Sequence, residues 1–358
     1  SEMNYLVNYH EDGSLDRHYY IGSLLAAHYN LLDADKLSAL VNTATTNLLD
    51  PQVGIYNAFP MDFEQWGEFM RFRGNEAGAK YYYFNGGIWP QGNAWYALAL
   101  IAQERDEEAR SFIDQVMSLH GILNGPNGQP AYYEVRNANR DDPSEYGKVD
   151  KPQFLWAGAW YLYSLYNLFG VRDNGWNIAL DPFLTAGQKQ NKFTLFVNGE
   201  SLLVSVGGKG EIIKSIRIGA YDYHSAIFPI ELKDTGLVEF ELGIPQYPYL
   251  AESDAILRNC EYSTGILIAT LSAFPGHWSE SVIISPTVPV SVTLNGKPLE
   301  ADWTVEQRTD HYRIRIPVIH TGVLDELRIS WSPEVGPSRQ ALLPADQLTL
   351  PHPGIASF

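Results

Sequence analysis

Apolar residues recur at two different spacings along the chain, and the change from one to the other divides it. Between Asp35 and Leu48, the residues Leu37, Leu40, Val41, Ala44 and Leu48 keep the i, i+3, i+4 intervals of a one-sided helix, with Asp33 ahead of them as a candidate cap. Ile21, Leu24, Leu25, His28 and Leu32 repeat that pattern just upstream. Trp95, Leu98, Ala99 and Ala102 predict a further helix and Ala109, Phe112, Ile113 and Val116 another, with a break at Arg105 and Asp106 that makes the two a helical hairpin. A fifth helix is predicted over Gln153–Leu168. It is apolar nearly all round, which predicts burial on most sides.

Past Gly170 the spacing drops to two. Phe193 to Val197 and Leu202 to Val206 flank Asn198-Gly199, a hairpin signal. Ile212 to Ile218, Leu237 to Leu242, Ile266 to Leu271, Val290 to Leu294, Tyr312 to Ile316 and Leu327 to Trp331 follow, separated by Gly, Pro, Asn and Asp. Val197-Asn198-Gly199 and Leu294-Asn295-Gly296 are alike, so two sandwich-like units are expected, about 177–250 and 251–335. The main boundary is placed between Arg172 and Pro182, giving a helical part over 1–172, a β region over 173–335 and an extended tail over 336–358. Five helices alone form an open layer with a large apolar face, which needs cover from the β half or from helices outside this chain.

Composition narrows the classes of function. Of the 358 residues, 25 are Lys or Arg against 42 Asp or Glu, a formal charge of −17, which argues against nucleic acid or an anionic membrane as partner. No run approaches the roughly 18 apolar residues of a membrane span. The compartment stays open, cytoplasmic or secreted after signal removal. The single cysteine, Cys260, excludes an intrachain disulfide, and the scattered His120, His224 and His311 make no metal pattern, so no cofactor is expected. Gly207-Gly208-Lys209-Gly210 lies between two strands with no helix after it, so it reads as a hairpin turn and not a phosphate loop. Tyr and Trp number 22 and 9, and these side chains can stack on the apolar faces of sugars as well as fill cores.

Two segments carry chemistry. In Tyr82-Tyr83-Phe84-Asn85-Gly86-Gly87-Ile88-Trp89-Pro90-Gln91-Gly92-Asn93, the glycines allow a close backbone approach and Pro90 suits a first helical turn. Trp89, Gln91 and Asn93 then gather at a helix N-terminus, one stacking plane beside amides that both donate and accept, as sugar hydroxyls do. In Ala131-Tyr132-Tyr133-Glu134-Val135-Arg136, Glu134 among aromatic neighbours is a candidate general base. Arg136, two residues on, would share its face of a strand and is the rival explanation, a simple ion pair.

The order of these features, then a helix opening Gln153-Phe154-Leu155-Trp156-Ala157-Gly158-Ala159-Trp160, resembles the six-hairpin (α/α)6-barrel glycosidases, above all the amylo-1,6-glucosidase, glucosidase and glycoside-phosphorylase groups. The resemblance covers about Gly13 to Gly170. It implies an α+β chain, the last hairpins of an (α/α)6 toroid followed by an antiparallel β-sandwich region, acting as an inverting glycoside hydrolase on an oligosaccharide or α-glucoside-like substrate. Glu134 matches the base that activates water. Trp89 and Gln91 match walls of the sugar subsite, Trp156 matches the aromatic that opens the closing helix, and Asp16 falls at a polar sugar-binding position, where a helix cap is the competing reading. Asn85 and Tyr83 belong to the same substrate-binding set.

Two departures accompany the resemblance. The general acid of relatives would fall ahead of Ser1, which implies that the missing N-terminal part of the same enzyme, or another chain, completes the barrel and brings the acid. Phosphorylases place a His and small hydroxyl residues where this chain has Gln91 and Ala157-Gly158-Ala159, which favours hydrolysis over phosphorolysis. The competing class is a non-catalytic carbohydrate-binding or assembly subunit, for which Glu134 would be solvated or paired with Arg136 instead of facing a cleft lined by Trp89, Gln91 and Trp156.

Overall fold

A computed structural model describes residues 4–62, 79–173, 177–197, 200–229, 236–299 and 301–331. The chain divides into two compact units, the first ending at Leu168 and the second beginning at Phe169. The first holds the six α-helices found among the described residues: α1 (Leu24–His28), α2 (Ala34–Leu48), α3 (Pro90–Ala102), α4 (Asp106–Phe112), α5 (Leu119–Asn124) and α6 (Leu155–Leu168). Among the described residues no helix is long and apolar enough to cross a membrane.

The helical periodicity finds its elements, with shorter bounds. In α2 the predicted stripe Leu37, Leu40, Val41, Ala44 and Leu48 is the buried face. Asp33 stands at the cap position, yet its carboxylate binds Lys36 at 2.6 Å and caps no backbone N–H. Upstream, a 3₁₀ turn over Ile21–Ser23 runs into the five-residue α1 and stops before Leu32. α3 is the centre of the unit. It packs against α1, α2, α4 and α6 and buries ten of its thirteen residues.

The (α/α)6 toroid is not what these residues build. Strand accounts for 38% of the structure against 23% helix, and three of the six helices span seven residues or fewer. Toroids alternate paired helices around a ring; here helices gather round one buried member, with two-stranded ladders between them, Leu49–Asp50 with Gly54–Ile55 and Tyr133–Arg136 with Val149–Pro152. The architecture is α+β and rich in strand. α6 also departs from its expected burial. Only Ala157, Ser164, Asn167 and Leu168 are buried, while Leu155 is 87% and Leu162 55% exposed.

Four sheets make up most of the second unit. One is mixed, in the order Tyr221–Tyr223, Ile213–Ile218, Leu237–Leu242, Glu200–Gly208, Gln190–Val197. Leu237–Leu242 runs parallel to Glu200–Gly208 and lies between it and Ile213–Ile218, so the Gly207–Gly210 link crosses over that strand and is not a hairpin turn. Gly208 (φ +93°) is required there, since a Cβ would sit 2.4 Å from the Leu242 carbonyl oxygen. A three-stranded sheet orders Ile227–Pro229, Asn177–Leu180 and Val171–Asp173.

The other two are a four-stranded sheet (Tyr249–Ser253, Trp278–Ser285, Tyr312–Ile319, Thr304–Gln307) and a five-stranded one (Ile256–Ser263, Ile266–Ser272, Asp325–Ser330, Ser291–Leu294, Lys297–Pro298). They share a core of Leu257, Leu267, Leu271, Ile283, Ile314, Ile316, Leu327 and Ile329. The Asn295-Gly296 hairpin forms as its sequence predicts, both residues at positive φ, with Leu294 opposite Lys297. The turn at 198–199 and the tail over 336–358 lie outside the described residues.

Candidate functional site

Glu134 is placed by a backbone splice. Its strand, Tyr133–Arg136, pairs on one side with Val149–Pro152 and on the other reaches Ile88 through a reciprocal pair of hydrogen bonds, Ile88 N–H to the Arg136 carbonyl at 3.0 Å and Arg136 N–H to the Ile88 carbonyl at 2.9 Å. Ala138 N–H reaches the Tyr81 carbonyl at 3.1 Å. The aromatic–glycine segment ahead of α3 therefore lies along the strand that carries Glu134, which is why residues about fifty apart in sequence meet.

The Glu134 side chain is 19% exposed. Tyr83 donates its hydroxyl to Oε1 at 3.3 Å, and the Lys151 ammonium sits 2.8 Å from Oε2 and 5.0 Å from the centroid of the Tyr83 ring. Glu134, foremost, holds the Lys151 ammonium above the usual lysine range. Tyr83 packs edge-on against Trp89 at 5.2 Å and against Phe84 at 4.8 Å, and Phe84 lies 4.9 Å from Trp89, so the ring that binds the carboxylate belongs to a cluster of three. The indole N–H of Trp89 is buried and has no acceptor. Backbone strain gathers here: Tyr81, Tyr83, Lys151 and Gln153 are all at positive φ without being glycine.

A second carboxylate lies on the paired strand, opposite Val135. Asp150 accepts the Tyr82 hydroxyl and the Lys151 backbone N–H. Burial, then the bond to Asp150, pushes the Tyr82 phenol up to about 12. Sequence reasoning missed both Asp150 and Lys151, because neither lies in a periodic element. Only the ladder register, Val135 opposite Asp150, brings the next residue, Lys151, to Glu134.

Arg136 is not the partner of Glu134. It is fully buried, donating Nε–H to the Gly147 carbonyl at 2.7 Å and Nη2–H to that of Pro126 at 3.1 Å, where it ties two loops together. Asn85 is buried and spends its amide on Met61, accepting from its N–H at 3.0 Å and donating to its carbonyl at 2.8 Å. The neighbouring glycines serve close packing and not ligand approach: a Cβ on Gly86 would lie 2.5 Å from Pro60, and one on Gly87 2.4 Å from the Tyr83 nitrogen.

Gln91 lies part-buried on the first turn of α3 behind Pro90. Trp156, on the first turn of α6, meets Phe154 edge-on at 5.5 Å. No hydrogen bond or ring contact joins either of them to Glu134. Asp16 is neither a helix cap nor a neighbour of Glu134. It lies in a short strand, nearly buried, accepting from Tyr20 and Asn8 side chains at 3.0 and 3.2 Å and from the His18 N–H at 3.0 Å.

Two further polar groupings escaped sequence reasoning. Asp50, fully buried, accepts from Arg140 at 2.6 Å and from Tyr146 at 2.9 Å. In the second unit Ser279 Oγ is 2.8 Å from His320 Nε2, and His320 Nδ1 is 2.9 Å from Asp325. That is the connectivity of a nucleophile triad, but all three side chains are at most 1% exposed, so no acyl group reaches the serine. Spacings of 41 and 5 residues gave the sequence no signal. Among the described residues no group of three or more His, Cys, Asp or Glu could hold a metal.

No protein-family model matches the sequence, and no curated protein matches it.

Proposed function

We propose that the first unit carries a saccharide site and that Glu134 is the general base of glycoside hydrolysis there. The observation that carries this is the part-open Glu134 carboxylate, positioned by Tyr83 and Lys151 at the rim of the Tyr83–Phe84–Trp89 cluster. A sugar site needs an apolar face and a fixed carboxylate, and aromatic rings and a held carboxylate coincide at this place. The resemblance set out above supplies the reaction type, an inverting attack in which the base takes a proton from water on the face opposite the leaving group. Tyr83 orients one carboxylate oxygen and Lys151 the other, and the proton donor is supplied from outside this chain.

Hydrolysis fits better than phosphorolysis. Where phosphorylases place small hydroxyl residues, this chain has Ala157-Gly158-Ala159, whose side chains bring no hydroxyl to donate. The ion pair with Lys151 favours a second reading, a binding module whose carboxylate only grips hydroxyls.

Glycosyl fluorides separate the two readings, since fluoride leaves without help from an acid. On α-glucosyl fluoride, a hydrolase releases fluoride and Glu134→Gln lowers turnover by a factor on the order of a hundred or more while ligand binding persists. Release within a few-fold of the unaltered chain in Glu134→Gln, or no release from either, overturns the assignment of Glu134 as base.

A further inference from the structure

Two loops cross side by side from one sheet to the other within the second unit. The strand Ile266–Ser272 passes to Trp278–Ser285 through residues 273–277, and Tyr312–Ile319 passes to Asp325–Ser330 through residues 320–324. Leu271 stands opposite Asp325 in one sheet and Trp278 opposite Ile319 in the other, so both crossings span the same end of the paired sheets. Backbone bonds join them midway: Gly276 N–H reaches the His320 carbonyl at 2.7 Å, and His320 N–H that of His277 at 2.9 Å. The buried bonds from His320 to Ser279 and Asp325 anchor the second crossing from within.

What these crossings turn outward is apolar. Phe274, Trp278, Ile319, Val323 and Leu324 are each between 48% and 80% exposed. Residues 273–279 and 317–324 include no Asp, Glu, Lys or Arg, in a chain of formal charge −17. Side chains of this size offer roughly 200 Å² each, so their open fractions amount to about 600 Å² of apolar surface. The largest patch on a typical monomer is about 300 to 600 Å², which puts this end at the upper limit of what water tolerates uncovered.

Three kinds of cover compete. A charged partner finds no opposite charge in either crossing. An uncharged lipid surface suits the side chains but not the backbone: the N–H groups of Phe274, Gly322 and Val323 have no acceptor among the described residues, and hydrocarbon would leave them without one. A second copy of the chain suits both, since an uncharged apolar patch is complementary to itself and protein can accept from those donors. The area agrees. Two patches of about 600 Å² bury about 1,200 Å² together, the lower edge of stable interfaces, which gives a reversible pair and not an obligate one. Because the cross-bonds already hold both crossings in place, docking orders no loop.

We propose that this end of the second unit is a self-association surface, at which Phe274, Trp278, Ile319, Val323 and Leu324 of two copies meet about a two-fold axis. The surface goes beyond the reading of Glu134 and needs nothing from it.

Sedimentation equilibrium of the whole chain from about 1 to about 200 µM tests it. The average mass climbs from one chain toward two, with a dissociation constant on the order of 10 µM. Raising NaCl from about 50 to about 500 mM tightens the pair several-fold, because salt screens the like charges of the two acidic copies and leaves apolar contact intact. Phe274→Asp and Val323→Asp each weaken it at least tenfold, and both side chains are exposed, so neither change enters the core. Val290→Asp is the control. It adds the same charge at a position 69% exposed, beside Ser330 at the other end of the same sheets, and leaves the pair unchanged. A single-chain mass at every concentration, a pair that survives Phe274→Asp, or equal weakening by Val290→Asp overturns the surface. So does a chain that stays single and floats with phosphatidylcholine vesicles, which assigns the patch to lipid.

Discussion

Two constellations of acid and base groups occupy the two units, and they are built in opposite ways. The Glu134 side chain, held by Tyr83 and Lys151, is about one-fifth exposed, on a stretch of backbone with four non-glycine residues at positive φ. Ser279, His320 and Asp325 have the connectivity of a catalytic relay but are sealed. Every acceptor position on Asp325 is also taken up, by Thr321 at 2.7 Å, Asn295 at 2.6 Å and the Thr321 N–H. Burial alone would push that carboxyl up; the hydrogen bonds from Thr321, Asn295 and His320 outweigh it and hold it below the usual aspartate range. Reactivity needs unspent valence and a path to solvent, and a satisfied network has neither. On the proposed reading the first grouping acts on a ligand; the second holds the chain together, tying the segment at 320–325 to the strand Trp278–Ser285.

The contrast breaks most visibly with Asp325→Asn. The amide turns a donor toward three donors, and losing a buried charge partner costs about 3 to 5 kcal/mol. Hydrogen exchange of the Tyr312–Ile319 amides in rising urea reads the loss in the second unit. Glu134→Gln, by contrast, removes a part-exposed pair and changes stability by less than about 1 kcal/mol. If Asp325→Asn also falls within that margin, the buried relay is not a clasp and its likeness to a nucleophile triad needs another explanation.

The next effect belongs to His224. Its folded value of about 4 lies below the ordinary 6.5, so between these values the unfolded chain takes up a proton that the folded one refuses. Stability is therefore complete above about pH 6.5 and falls as the pH drops toward 4, by about 3 kcal/mol in all. Urea midpoints of the second unit at pH 7 and pH 4.5 measure it, and His224→Phe removes that part of the slope. Equal slopes with and without the histidine would mean that His224 takes up a proton in the folded state as readily as in the unfolded one, so that burial does not hold it neutral below pH 6.5.

How much of this was legible beforehand depended on how local each signal is. The stripe of α2, the Pro90 start of α3, the strand Leu237–Leu242 and the Asn295-Gly296 hairpin rest on spacing within a few residues, and all are present. The toroid failed because a helical period says where a helix runs, not how many neighbours close around it. The expected burial of α6 failed for the same reason: Leu155 and Leu162 are apolar, but composition does not provide a covering surface. The Gly207–Gly210 link was misjudged because a turn signal does not say which strand lies next door. At the site, Tyr83, Trp89 and Glu134 could be named from their chemistry. Lys151 and Asp150 could not, because ladder register, a long-range property, puts them there.

The smallest effect tests whether the site bears strain of the kind its backbone suggests. Lys151 sits at φ +49°, where an L side chain costs about 1 kcal/mol that glycine does not bear. Its ion pair with Glu134 is half exposed on the lysine side and contributes less than about 1 kcal/mol. Lys151→Met loses the pair and keeps the strain; Lys151→Gly loses the pair and releases it. Lys151→Gly should therefore be the more stable of the two by about 1 kcal/mol, close to the unaltered chain, in urea titrations read from the first unit. A more stable Lys151→Met would mean that the pair and the lysine stem, not a strained backbone awaiting ligand, hold this loop, and the likeness between the two constellations would then be closer than their exposure suggests.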